Sequence, residues 1–243
     1  MKRFRSDDGF TLMEVLVAAT IGFIVLSATL GLLESTVRLS FGMVGKTDSL
    51  QRGRLAMDQI TQQLRSQVCL NLDTPAILVG STADEVVFYV DFSSADGTTP
   101  PLKRRLTFPG GVFGTAGNIV ATTWKTTDLT PENDADFPAT ASSRNLVLEN
   151  AMRQKNATDP TKEKPYLRYY AYQQVGTPAH PEPTLELTPP LDAAEAARVA
   201  RIDINLFARP TRSKDDSKGV NITDQVMVRH ADPNLSVPDP ACT

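Results

Sequence analysis

The carboxylate of Glu14 stands at the edge of 19 consecutive uncharged residues, Val15–Leu33. A carboxylate beside apolar material costs free energy unless a cation meets it, and the cost grows with depth in lipid. The placement therefore points to ion-pair chemistry with a cation supplied from elsewhere. Cys69 and Cys242, the two cysteines of the 243 residues, offer a second chemistry. Outside a membrane they can oxidise to a disulfide. Closing so long a loop would stabilise the fold by about 5 kcal/mol in the entropy model; two separate thiols are the alternative.

Other reactive residue types lack the company that catalysis requires. His180 and His230 are solitary, in no metal-ligand spacing and beside no nucleophile pattern, and read as surface residues. Gly110-Gly-Val-Phe-Gly-Thr-Ala-Gly117 lacks the Lys-Ser/Thr of a phosphate loop and the dinucleotide spacing, so it reads as a flexible strand connection. Asp128, Glu132, Asp134 and Asp136 gather oxygens of the kind calcium takes, but a solvated acidic loop is the simpler reading. Asn156-Ala-Thr, Asn221-Ile-Thr and Asn234-Leu-Ser fit the glycosylation pattern, a short motif that by itself carries little meaning. The expectation is a protein that is not an enzyme, with no cofactor and no metal ligands. With 41% apolar residues a packed core is within reach, and 22% charged residues exclude a wholly embedded chain. A net charge of −3 and a pI near 5.5 leave no nucleic-acid footprint.

The elements that carry these residues separate by proline. Of 17 prolines the first is Pro75, so a single long helix is permitted before it. Later prolines fall in pairs and clusters, as in strands joined by turns. Val15–Leu33 would rise about 28 Å as a helix, close to the ~30 Å of bilayer hydrocarbon. Lys2, Arg3 and Arg5 precede it, which predicts a cytoplasmic N-terminus and an exported C-terminal part. A signal peptide has a shorter apolar core and a small-x-small cleavage site; Ser27-Ala28-Thr29 is a weak one, and the run continues to Leu33. An ordinary anchor accounts for the length but not for Glu14.

Gly9-Phe10-Thr-Leu-Met-Glu14-Val-Leu16 resembles the prepilin processing motif, and the chain is thereby similar to type IV prepilin-like proteins. The resemblance implies cleavage after Gly9 by a prepilin peptidase, methylation of the new N-terminus at Phe10, and pairing of Glu14 with that amine on a neighbouring subunit. At ~4 Å and an effective dielectric near 20, this attraction is about 4 kcal/mol before desolvation. It implies further that the partners are the peptidase/methyltransferase, other pilins or pseudopilins, and membrane lipid before assembly. Thr20, Gly22, Ser27, Ala28 and Gly31 interrupt the large apolar residues and either allow close helix approach or reflect the ordinary composition of membrane helices. Gly42, Gly45 and Gly53 each cost roughly 1 kcal/mol relative to Ala and raise the question of bends or local melting on assembly.

From Met43 onward, Leu50, Met57, Ile60, Leu64 and Val68 form one helical face, extending the helix to about Leu70. Strand patterns follow at 85–92, 103–108, 120–124, 144–148, 166–172, 200–208 and 225–229, with a short helix at 191–198. The fold class expected is α+β, the long helix packing its second half on a largely antiparallel sheet. The domain reading is leader 1–9, filament-core helix 10–34, amphipathic continuation 35–72 and a β-rich domain 73–243. Asp58-Gln-Ile-Thr-Gln-Gln-Leu-Arg65, Leu167-Arg-Tyr-Tyr-Ala and Val199-Ala-Arg-Ile-Asp-Ile-Asn-Leu resemble, loosely, larger minor pilins and J-type minor pseudopilins of type II secretion. That likeness implies a minor subunit in the inner membrane and then in a pilus or pseudopilus, acting in assembly initiation or at the tip. A pilin-mounted surface adhesin is the alternative, to be favoured by an exposed aromatic or acidic patch in the loops of 93–165.

Overall fold

The computed structural model describes residues 11–70, 74–91, 99–110, 114–159, 161–172, 183–211 and 216–228. Helix α1 runs unbroken from Leu12 to Arg65, 54 residues with no proline to remove a hydrogen bond. The chain divides into two compact units at Val44/Gly45, and α1 contributes to both.

In the second unit, Ala56, Met57, Ile60 and Leu64 of α1 enter the core, the last two with no exposed surface. They repeat at the helical spacing expected from the sequence. Met43, expected on the same stripe, is instead 67% exposed. The helix stops at Arg65, short of Leu70, because the backbone after it is taken by a strand edge. Val68 N–H donates to the Tyr89 carbonyl at 3.0 Å, and Gln67 bridges Val90.

That edge belongs to β1, Glu85–Val90, the first strand of an eight-stranded antiparallel sheet. Strands β2 (Leu102–Thr107), β3 (Gly117–Lys125) and β4 (Ser143–Met152) follow it as a meander. Strand β5 (Leu167–Ala171) pairs with β6 (Leu185–Leu187), and α2 (Ala193–Arg198) leads into β7 (Arg201–Ala208). Strand β7 is the junction: the start of one edge pairs with β5 and its end with β4, while β8 (Val220–Met227) pairs along the whole of the other edge. Alternation sends Ile202, Ile204, Leu206 and Ala208 into the core, as the sequence pattern implied. Strand β8 starts at Val220, five residues before the expected Gln225, because its added part exposes the polar Asn221 and Thr223 and carries no apolar run. Buried Gln154 secures the β7–β8 pair, its Nε2 lying 3.0 Å from the Leu206 carbonyl and 2.9 Å from that of Ile222.

Gly53 explains how closely α1 sits on these last strands. A Cβ built there would fall 2.1 Å from Ile222 Cδ1 and 2.9 Å from Ala208 Cβ. The residue marks a close approach and not a bend. Nearby, Ser49 Oγ lies 3.1 Å from the Lys218 carbonyl, and Arg52 donates to the Arg209 carbonyl.

Candidate functional site

The candidate site is the first part of α1. Thr11 caps it: the hydroxyl accepts from Glu14 N–H at 3.3 Å, and its carbonyl accepts from Glu14 and Val15. Thr11-Leu-Met-Glu14 has the spacing of a capping box, of which the Thr11 half is formed, with the acid at the third helical position, where the helix dipole favours it. The cap at Thr11 was legible in the Thr-x-x-Glu spacing, and sequence reasoning overlooked it in favour of processing.

The carboxylate of Glu14 is exposed, shares a shallow surface groove with Thr11, Met13, Val17, Ala18 and Ile21, and makes no ion pair among the described residues. Beyond it, α1 is long and apolar enough to cross a membrane, and its most apolar window has nothing buried inside the structure. Leu12 is 82% and Phe23 70% exposed. The hydroxyls within this run are satisfied by the helix itself: Thr20 donates to Val17 O, Ser27 to Phe23 O and Thr29 to Leu26 O, each at 2.8 Å. Ser35 and Thr36 both donate to Leu32 O. Such internal bonding lets polar side chains sit in apolar surroundings without unpaired donors. The next charges are Glu34 and Arg38, paired one turn apart. The sequence therefore presents one exposed carboxylate, an uncharged cylinder, and then a neutralised pair.

Gly9 and Phe10, the expected processing residues, lie outside the described residues, as do His180, His230, Asn234 and Cys242. Cys69 is not a free thiol. Of the acidic loop, Asp136 accepts from Glu132 and Asn133 N–H at 2.8 and 3.0 Å, capping a short 3-10 turn at Asp134–Asp136. Asp134 pairs with Lys103 and accepts from the Tyr89 hydroxyl at 3.3 Å. Burial, with Asp134 adding to it, raises the Tyr89 phenol above its ordinary value. These carboxylates are spent on loop structure, and among the described residues no group is arranged to hold a metal ion. Gly114 lies in the β2–β3 connection at φ 76°, and Gly117 opens β3. Asn156 accepts from Thr158 N–H and hydroxyl, a local turn, and Asn221 lies in β8.

The geometry thus leaves the start of α1 as the feature with unmet chemistry. No curated protein sequence and no solved structure matches the chain. Residues 4–30 match the family model of the prokaryotic N-terminal methylation motif, the segment in which the sequence resembles type IV prepilins.

Proposed function

We propose that the chain is a minor pilin or pseudopilin subunit, cut after Gly9, methylated on Phe10, and incorporated into a type IV pilus or type II secretion pseudopilus in assembly initiation or at the tip. The observation that carries this reading is the coincidence of the methylation motif with an exposed, uncharged helix whose first carboxylate, Glu14, has no ion-pair partner among the described residues. Before assembly the helix lies in the inner membrane as a single span, and Lys2, Arg3 and Arg5 favour a cytoplasmic N-terminus with the β-rich domain outside. In the filament, the methylated amine of Phe10 on a neighbour meets Glu14, fixing register more than adding raw stability. The division into leader 1–9, core helix 10–34, continuation 35–72 and head 73–243 belongs to this reading, as does a Cys69–Cys242 bridge holding the C-terminal tail. A length of 243 residues supports a minor subunit, since major subunits of such filaments are usually smaller.

The adhesin alternative draws less support. Asp136 is engaged within its own loop and Asp134 by Lys103 and the Tyr89 hydroxyl, and Trp124 is flanked by Lys103 and Arg105 at 5.4 and 5.2 Å from its ring centre. Replacing Gly9 by Val tests the proposal: the expected outcome is an untrimmed precursor in the membrane fraction and no incorporation into sheared filaments. Normal trimming of that variant refutes the assigned cut.

A further inference from the structure

The sheet face opposite the core holds a cavity that filament assembly does not use. Ala151 and Ala208 belong to the core, so alternation sends their neighbours Met152 and Phe207 to the other face. There Met152, Phe207 and Asn221 form one cross-strand row over β4, β7 and β8. The floor is firm. Buried Gln154 ties β7 to β8 beside it, and the Phe207 ring lies so close to Gly219 that a Cβ there would fall 2.2 Å from its Cζ. After β4 the chain turns in a hairpin: Asn156 N–H donates to Lys162 O and Lys164 N–H to Gln154 O, each at 2.8 Å. Lys155 and Glu163 are cross-strand partners in that hairpin, and both line the cavity together with Met152, Phe207, Asp216 and Asn221. Its volume is about 170 Å³; about 150 Å³ is enough to admit a benzene-sized molecule.

The charges around this cavity are unequally engaged. Arg153, also in its lining, pairs with Asp84 and lies with its guanidinium 5.8 Å from the Tyr166 ring centre. Glu163 accepts from Gly114 N–H at 2.8 Å, and Asp216 pairs with Arg209 at 3.0 Å. Lys155 is exposed and makes no ion pair among the described residues, although a carboxylate stands opposite it in the hairpin. Asn221 likewise presents an exposed amide whose side chain makes no hydrogen bond among the described residues. What is left over is a cation and an amide donor at the mouth of an apolar floor. Ammonium and amide N–H groups meet an acceptor-only partner best, and a carboxylate is one.

We propose that this cavity binds a small organic carboxylate, its apolar body against Met152 and Phe207 and its charge met by the Lys155 amine and the Asn221 amide. A pocket with an apolar lining and few polar groups fixes orientation by those groups. An ion pair with an exposed lysine is weak by itself, so the apolar floor holds the ligand and Lys155 selects its charge. An organic ammonium would meet Lys155 as a like charge, and the two acids of the lining are already engaged. The inference goes beyond the filament reading and does not depend on it, since every residue invoked belongs to the second compact unit.

The test is methyl NMR of the full-length chain in neutral detergent, labelled at the methionine methyls and titrated with phenylacetate. The Met152 signal, assigned by Met152→Leu, reports the cavity; Met227, paired with Arg201 at the far end of β8, is the reference. Expected is a saturable shift of Met152 below about 20 mM phenylacetate with Met227 still, and about fivefold weaker responses to benzylamine and benzyl alcohol. Lys155→Met should weaken phenylacetate about fivefold and leave the other methyl signals in place, whereas Lys162→Met, on the same hairpin but outside the lining, should change nothing. No saturable shift, equal responses to the three probes, a preference for benzylamine, or unchanged binding in Lys155→Met would each overturn the proposal. The chain end of a protein carries the same chemistry, so the tripeptide Ala-Ala-Phe is titrated alongside. Binding no tighter than phenylacetate is expected; a preference for the tripeptide would overturn the assignment to a free small molecule. Trimmed and untrimmed chains should respond alike, so a failure of the processing reading leaves this result standing.

Discussion

Replacing Gly53 by Ala sets two known effects against each other, and the structure decides between them. In a helix interior Ala is favoured over Gly by about 1 kcal/mol. The new methyl, however, would fall 2.1 Å from Ile222 Cδ1 and 2.9 Å from Ala208 Cβ, where carbon atoms normally sit about 3.5–4.0 Å apart. The end of Ile222 can rotate away at roughly 0.5–1.5 kcal/mol. Ala208 Cβ cannot, since it is fixed to a fully buried position of β7. The helix or the strand must therefore move by more than half an ångström, an overpacking cost of about 1–3 kcal/mol. Strain exceeds propensity, and the variant is expected to lose about 1–3 kcal/mol. For a chain of this size that is a melting point lower by roughly 3–10 °C. The assay is thermal unfolding of the detergent-solubilised full chain by circular dichroism. Gly42→Ala is the control, because nothing lies within 4 Å of its new Cβ and only the propensity gain remains. Adding Ile222→Val to Gly53→Ala removes the nearer clash and should recover part of the loss. A Gly53→Ala chain that melts with or above Gly42→Ala would refute the close-approach argument.

Three further outcomes are expected. Glu14→Gln keeps the length and shape of the side chain and removes its charge, so trimming and insertion should persist while filament incorporation falls at least tenfold, the effect of about 1.4 kcal/mol; incorporation at the native level would refute the pairing argument. Alkaline solution should destabilise the β-rich part. Burial is the main cause that raises the phenols of Tyr89, Tyr166 and Tyr169, so they stay protonated in the fold while the unfolded chain ionises from about pH 10. The unfolded state then loses protons first, and stability falls above that pH by up to about 1.4 kcal/mol per unit for each tyrosine; equal denaturant midpoints at pH 9 and pH 11 would contradict this. Mass spectrometry of the non-reduced chain should give a mass two hydrogens below that of the reduced chain, the mark of a Cys69–Cys242 bridge, and equal masses would exclude it.

Much of the architecture was legible because periodicity is a direct imprint of burial. Ile60 and Leu64 announce the helix face, and Ile202, Ile204 and Leu206 the inner face of β7. What escaped were features decided by neighbours distant in sequence. Val68 continues the helical spacing, yet the open edge of β1 takes its N–H. Leu185–Leu187 is too short, between Pro183 and Pro189, to show a period before β5 supplies its partner. Gly53 read as a weak point until Ala208 and Ile222 were placed against it. At the N-terminus the Thr11–Glu14 spacing carries two meanings at once, and the processing motif hid the cap.

The contact around Gly53 also orders events in time. Its two neighbours, Ala208 and Ile222, belong to the last two strands among the described residues, and β7 is the piece that joins the meander to β5 and β6. A nascent chain halted before residue 200 would have its helix and four meander strands, but no seat for Gly53. Docking of the helix is thus a completion signal. A chain truncated there keeps α1 but leaves the face around Gly53 uncovered.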